Sequence, residues 1–217
     1  MRKSAVASGI ALALMAVFVF VLAEVVSPGH ISGLDKAVNE MIGRQSAWIV
    51  LLSKGLHFLF APVSVIVMTI AMATIVWRKI GQKEAVLIAG MMLLGTAVNH
   101  LIKLLVARPR PEDALIALSD AAFPSGHALA TAVFFGILCM ILVPKLKPGL
   151  PRVSMISASV FVVALVGFSR LCLHVHWLTD VLAGLALGGV IICAGALAQD
   201  FFSTARPTKA SATRRSR

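Results

Sequence analysis

Charge is scarce in this sequence. Of 217 residues only 13% are Asp, Glu, Lys or Arg, against about 25% in a soluble domain. The scarcity falls mainly on one sign, with 9 acids against 20 Lys and Arg and a formal net charge of +11. Cysteine is scarce too: Cys139, Cys172 and Cys193 are an odd number, lie in or beside apolar runs and show no Cys-x-x-Cys or Cys/His ligand spacing. They read as small buried hydrophobes. There is no GxxxxGK phosphate loop, zinc motif, internal repeat or low-complexity segment. Together with the composition, these gaps exclude a disulfide scaffold, a disordered chain and an ordinary cytosolic enzyme.

Apolar residues are in excess, at 59% of the chain, with a mean hydropathy of +0.95. A helix needs about 20 apolar residues to cross a bilayer core. Six candidate spans run over about Ser4–Val26, Pro62–Trp77, Glu84–Val106, Gly126–Val143, Val153–Leu173 and Trp177–Ala198. Val21-Leu22-Ala23 resembles a signal cleavage site, but the apolar stretch exceeds the roughly 7–15 residues of a signal core, so a retained helix is expected. The run from Trp48 to Trp77 is interrupted by Lys54 and His57, and as one helix it would be roughly 45 Å long, too long to span without strong tilt. Leu34–Lys54 therefore reads as an amphipathic helix at the interface, with a break allowed at Gly55 and Pro62 in the first turn of the next span. The expected fold is all-α: an integral membrane bundle of six transmembrane helices with a short amphipathic interfacial helix before the second span. Residues 1–203 are expected to form one domain and 204–217 a basic, disordered cytoplasmic tail.

The basic residues then sort by side. With the N-terminus in the cytoplasm, the inner segments carry 13 of the 20 Lys and Arg, and the outer ones carry Lys36, Arg44, Lys54, Lys103, Arg108, Arg110 and Arg170. The positive-inside rule places both termini in the cytoplasm, and Trp48, Trp77 and Trp177 fall near helix ends as an interfacial belt would have them. The surplus of charge thus reports orientation, not nucleic acid.

Four outer basic residues are out of place. Lys103 sits near the end of the third span, Arg108 and Arg110 follow in Ala-Arg-Pro-Arg-Pro, and Arg170 ends the fifth. Ionisable groups at membrane depth are functional candidates by default, although any one of them could snorkel from a helix end. The topology brings Lys103–Pro111, Pro124–His127 and Ser169–Asp180 to the same membrane face. Lys103-x6-Arg110-Pro111, Pro124-Ser125-Gly126-His127 and Ser169-Arg170-x5-His176-x3-Asp180 resemble the three signature blocks of the PAP2 (type 2 phosphatidic acid phosphatase) superfamily. All three are complete and in order, and the resemblance covers about residues 50–200. One departure bears on a local turn and not on the chemistry: His174 stands where many bacterial members have Gly.

Phosphate ester hydrolysis depends on stabilising a charged phosphoryl group. The resemblance implies that Lys103, Arg110 and Arg170 supply that charge. Ser125 offers a hydroxyl, and Gly126 opens a helix whose N-terminus favours an anion. His176 and Asp180 are four apart and share a helical face. Asp180 would fix the tautomer of His176, which the family assigns as the nucleophile that forms a phosphohistidine. His127 would be the general acid and then the base. No metal or cofactor is implied, because three cations take the metal's place. Hydrolysis is therefore expected to survive EDTA and to be inhibited by vanadate. Asn99 lies one turn before Lys103 and is a candidate to orient it. His100, His174 and the loop acids Glu112, Asp113 and Asp120 read as packing or solvated residues, and Arg108 has no assigned role.

The resemblance implies a lipid phosphatase of the bacterial inner (plasma) membrane, with the bilayer as its setting, an outward-facing site and no nucleic-acid partner. Its short outer loop is like that of members that recycle the cell-wall lipid carrier or dephosphorylate glycerophospholipids. Undecaprenyl diphosphate, phosphatidylglycerophosphate and phosphatidic acid all fit, with lipid A phosphate behind them. Phosphotransfer to another acceptor uses the same phosphohistidine. A haloperoxidase is disfavoured by six spans, since those relatives are soluble. A transporter or structural membrane protein leaves the alignment of the three blocks unexplained.

Overall fold

The computed structural model describes residues 2–27 and 33–204. These form eight α-helices: α1 Arg2–Val26, α2 Gly33–Ile42, α3 Ala47–Leu59, α4 Pro62–Lys79, α5 Gln82–Val106, α6 Gly126–Leu142, α7 Leu150–Cys172 and α8 Leu178–Thr204. Among the described residues there is no strand. Helices α1, α4, α5, α6, α7 and α8 are long and apolar enough to cross a membrane. The expected tail, 204–217, lies outside the described residues except for Thr204.

Helix α8 is the most buried span and packs against α1, α6 and α5. Its approach to α6 depends on Gly184: a Cβ there would lie 2.6 Å from the Ser125 carbonyl oxygen. Any side chain would push the two helices apart. The bundle core collects Ile88, Val133, Ile137, Val166 and Leu187, all buried. Helix α1 belongs to this core through Phe18 and Val21, and Phe18 stacks on Phe123, 6.1 Å between ring centres, beside the Pro124 turn. Leu12, Val63, Leu93 and Val160 are exposed on the outside of the bundle, as side chains facing hydrocarbon are in a membrane bundle.

The segment before the second span differs from expectation. In place of one helix over 34–54 there are two, separated at Gly43–Ser46. Gly43 takes φ 51°, a left-handed conformation that ends α2 at little steric cost. Gly55 stays helical inside α3, since one interior glycine costs only about 1 kcal/mol. The break comes instead at Phe60–Ala61, with Pro62 in the first turn of α4. Helix α3 packs mainly against α7, and α2 against α8 and α7.

Candidate active site

The three sequence blocks meet at one end of the bundle. Helix α5 stops at Ala107, whose left-handed φ of 46° caps it. Pro109 and Pro111 then keep the chain out of a helix, and the loop returns to α6 through Pro124. The loop's ends are tied together, the Ala122 N–H donating to the Arg108 carbonyl (2.9 Å), and its middle is pinned by the Leu115 N–H on the Leu173 carbonyl (2.9 Å).

Helix α6 opens on Ser125-Gly126-His127. The Ser125 N–H donates to the Asp180 carbonyl (3.0 Å), which ties this turn to α8. The Ser125 hydroxyl is fully buried and has no hydrogen-bond partner. Gly126 packs closely on the Asn99 amide, 3.2 Å from where a Cβ would lie. Asn99 thus meets the opening of α6, not the Lys103 it was expected to orient.

His176 lies on the turn before α8, and Asp180 sits in that helix's first turn. Their approach comes from helix capping more than from a shared helical face. The Asp180 carboxylate reaches back to accept the Trp177 N–H at Oδ2 (2.9 Å), the return half of a capping box. The same oxygen lies 3.4 Å from His176 Nδ1. On the other side of the ring, Arg110 Nη1 points at His176 Nε2 from 3.3 Å. Burial, only partly offset by Asp180 and reinforced by the Arg110 and Lys103 charges, holds the His176 pKa down at about 4. The imidazole is neutral near pH 7.

Lys103 and Arg110 converge on Asp120, one carboxylate oxygen each, at 2.8 and 2.7 Å. Burial alone would raise the Asp120 pKa, but Lys103 and then Arg110 outweigh it and hold it at about 2. This acid is therefore no merely solvated loop residue. Arg170 is completely buried at the end of α7. It bonds Ser169 Oγ (2.9 Å) and the Ser53 carbonyl (3.3 Å), and its Nη1 donates to His57 Nδ1 at 3.0 Å.

His57 was missed as a site residue. Its ring stacks on that of His127, 5.0 Å between centres, and its carbonyl accepts from His127 Nε2 at 3.2 Å. Burial and then the charges of Arg170 and Arg110 lower its pKa. The signal was present, since His57 interrupts an otherwise apolar run. Only the packing of α3 against α7 shows that it faces Arg170.

His174 adopts φ 52°, the left-handed geometry that a Gly would take freely and that costs a side-chain-bearing residue about 1–2 kcal/mol. Its ring is buried and held by Asn39 Oδ1 (2.8 Å), the Gly43 carbonyl (2.9 Å) and Asp113 (2.9 Å). It anchors the α2–α3 corner and makes none of the contacts of the Lys103–Arg110–His176 cluster.

Arg108 turns away from Asp120 and is buried with Asp35, Thr179 and Asp180. Among the described residues, no group of three His, Cys, Asp or Glu side chains could hold a metal ion. The arrangement offers a neutral imidazole backed by a carboxylate, a second imidazole, three cations and an unpartnered hydroxyl: a set suited to a tetrahedral oxyanion.

Residues 84–204 match the family model of the PAP2 superfamily. A sequence relative is phosphatidylglycerophosphatase B of Bacillus subtilis (strain 168), 36% identical over 106 residues, or 45% of this chain and 50% of that protein. The chain thus spans about half the length of that relative. An uncharacterized 22.5 kDa protein in the cps region of Klebsiella pneumoniae is 39% identical over 64 residues, 30% of each chain. The fold is shared with the crystal structure of a transmembrane PAP2-type phosphatidylglycerolphosphate phosphatase from Bacillus subtilis: TM-score 0.77, 22% identity, 90% of this chain and 98% of that one. It is also shared with LpxE of Aquifex aeolicus: TM-score 0.62, 17% identity, 78% of this chain and 97% of that one.

Proposed function

This chain belongs to the PAP2 superfamily, and from that premise we propose that it hydrolyses a lipid phosphate or diphosphate at the outer face of the membrane, through a phosphohistidine and without a metal. The observation that carries the reading is the setting of His176, with Asp180 behind Nδ1 and Arg110 before Nε2.

With a proton on Nδ1, on the side where Asp180 lies 3.4 Å away, the Nε2 lone pair attacks phosphorus as Arg110 passes from Nε2 to the phosphoryl oxygens. The P–N bond forms as the P–O bond to the leaving group breaks. His127 protonates the departing oxygen. With its Nε2 bonded to the His57 carbonyl, Nδ1 is the nitrogen left to exchange that proton. Water then attacks the phosphohistidine, His127 takes a proton from it, and the P–N bond breaks to release phosphate and restore His176. Lys103, Arg110, Arg170, the Ser125 hydroxyl and the Gly126 N–H hold the phosphoryl oxygens, with charge-assisted bonds the strongest of these. The lipid tail remains in the bilayer beside the apolar helices.

The relative's name favours a glycerophospholipid phosphate, and phosphatidylglycerophosphate leads the candidates. Phosphate release from purified protein in detergent, over phosphatidylglycerophosphate, undecaprenyl diphosphate, phosphatidic acid and lipid A, tests the reading. Turnover is expected on at least one of these lipids and is expected to fall by more than about 10³-fold in His176→Ala. Near-normal turnover in that variant would overturn the mechanism.

A further inference from the structure

Behind the nucleophile lies a polar network that the chemistry above leaves unused. Asp35, on the short helix α2, is 1% exposed, Arg108 5% and Asp180 0%, and all three are packed together. Asp35 accepts from the Thr179 N–H (2.9 Å), the Thr179 hydroxyl (2.6 Å) and Arg108 Nη2 (2.8 Å). Arg108 Nη1 donates to Thr179 Oγ1 (2.8 Å) and to Asp180 Oδ1. Asp180 is therefore held from both sides. One oxygen takes Arg108, and the other takes the Trp177 N–H and faces His176. The Arg108 guanidinium also lies 5.9 Å from the centre of the Trp177 ring. Helix α2 seals this arrangement from behind, where Asp35, Val38, Asn39 and Ile42 line a small void with His176 and Trp177.

Two buried carboxylates and one buried guanidinium leave a net negative charge, whereas Asp180 and Arg108 alone would cancel. An unbalanced buried charge is costly and acts strongly on its neighbours. We propose that Asp35 and Arg108 are positioning residues for this site: Arg108 braces Asp180 against His176, and Asp35 offsets the Arg108 charge so that Asp180 keeps its pull on the imidazole. The interfacial helix α2 thereby sets the basicity of His176. This inference rests on His176 being the nucleophile.

The charged and titratable groups facing His176 come from several elements. Asp180 lies on α8, Lys103 on α5, Arg110 on the loop that follows, and His127 on α6. Arg108 and Asp35 stand one step behind Asp180, and Arg170 from α7 faces His57 instead. Removing one partner of the Asp35–Arg108 pair changes the field at His176 with a known sign. Without Asp35, the Arg108 charge is less offset and disfavours the imidazolium. Without Arg108, both carboxylates favour it.

The test is the pH dependence of kcat/KM on whichever lipid phosphate the panel identifies, in detergent, for the full chain and its variants. The acid limb is expected to move down in Asp35→Asn and up in Arg108→Gln, each by about one pH unit. In the double variant it is expected to return near its original place. A purely structural role would lower protein yield and thermal stability but would not move the limb in opposite directions. Limbs that stay in place, or move together, overturn the proposal. Arg108→Lys covers the case of poor folding. It keeps the charge but cannot reach Asp35 and Asp180 at once, so kcat is expected to fall at least tenfold with the limb unmoved, and an undiminished kcat overturns the bracing role. His176→Ala is run beside them: activity there removes the nucleophile reading itself. Inactivity there, with unmoved limbs elsewhere, removes only the roles of Asp35 and Arg108.

Discussion

His176 and Asp120 carry the site's strongest departures from ordinary side-chain chemistry outside the spans. A folded-state pKa of about 4 for His176 means that the unfolded chain, with an ordinary imidazole, binds more protons between about pH 6.5 and 4. Stability contributed by the neutral ring is therefore lost as pH falls through that window. Attack needs the same neutral ring. The acid limb of kcat/KM is expected near pH 4, with activity kept at pH 5.5. A limb at the 6.5 of free imidazole, measured on detergent-solubilised protein, would contradict the burial argument. Asp120 offers Lys103 and Arg110 one carboxylate oxygen each, much as a phosphate would. Its carboxylate is more than half exposed, so its value as a stabilising ion pair is small. Asp120→Asn removes an anion that competes for those cations. Inhibition by vanadate is expected to tighten several-fold in this variant, and weaker inhibition would mean that Asp120 positions the cations instead. His176 was visible in sequence by its type and spacing, and Asp120 only as one acid of a loop. The partners of Asp120 and Arg108 were not, because a loop's side-chain contacts depend on which elements fold over it.

Helices show a similar division. The spans were legible because each is a long apolar stretch with turn-forming or charged flanks, so the ends of α4, α5 and α6 fell within a few residues of their expected places. The division between α2 and α3 was not. Amphipathic spacing runs through Arg44, and the stop depends on the left-handed Gly43 and on His174 bonding its carbonyl, a contact across 131 positions. Likewise, His176 and Asp180 meet, but through the cap of α8 more than on its face. The contact of α8 with α6 gives a test of its own. Gly184→Val places a Cβ 2.6 Å from the Ser125 carbonyl oxygen, an overpacking expected to cost about 1–3 kcal/mol and to displace the turn carrying Ser125 and Gly126. Thermal unfolding in detergent should show a lowered Tm, and kcat should fall by more than the loss of folded protein accounts for. An unchanged kcat would show that the turn keeps its place when the helices separate.

Orientation is a property of the whole molecule. The proposed outward site follows from the imbalance of Lys and Arg between the two sets of loops. A cysteine in place of Asp120, with Cys139, Cys172 and Cys193 replaced by Ala, is expected to react with an impermeant thiol reagent on intact cells. Labelling only after lysis would turn the protein over. Composition and periodicity settled the class of molecule, because a membrane core tolerates long apolar helices and little else of an α-helical chain. The resemblance of three ordered blocks to the PAP2 signature was enough to point to a phosphate-directed chemistry. Folding alone could bring Asp35 to Arg108, His57 to Arg170 and Asp120 between two cations. The first two join segments 73 and 113 positions apart in the chain, and all are made where α2, α3 and a loop close over the bundle's end. A lone polar residue has no period to read, and its role is defined only by what tertiary packing sets beside it.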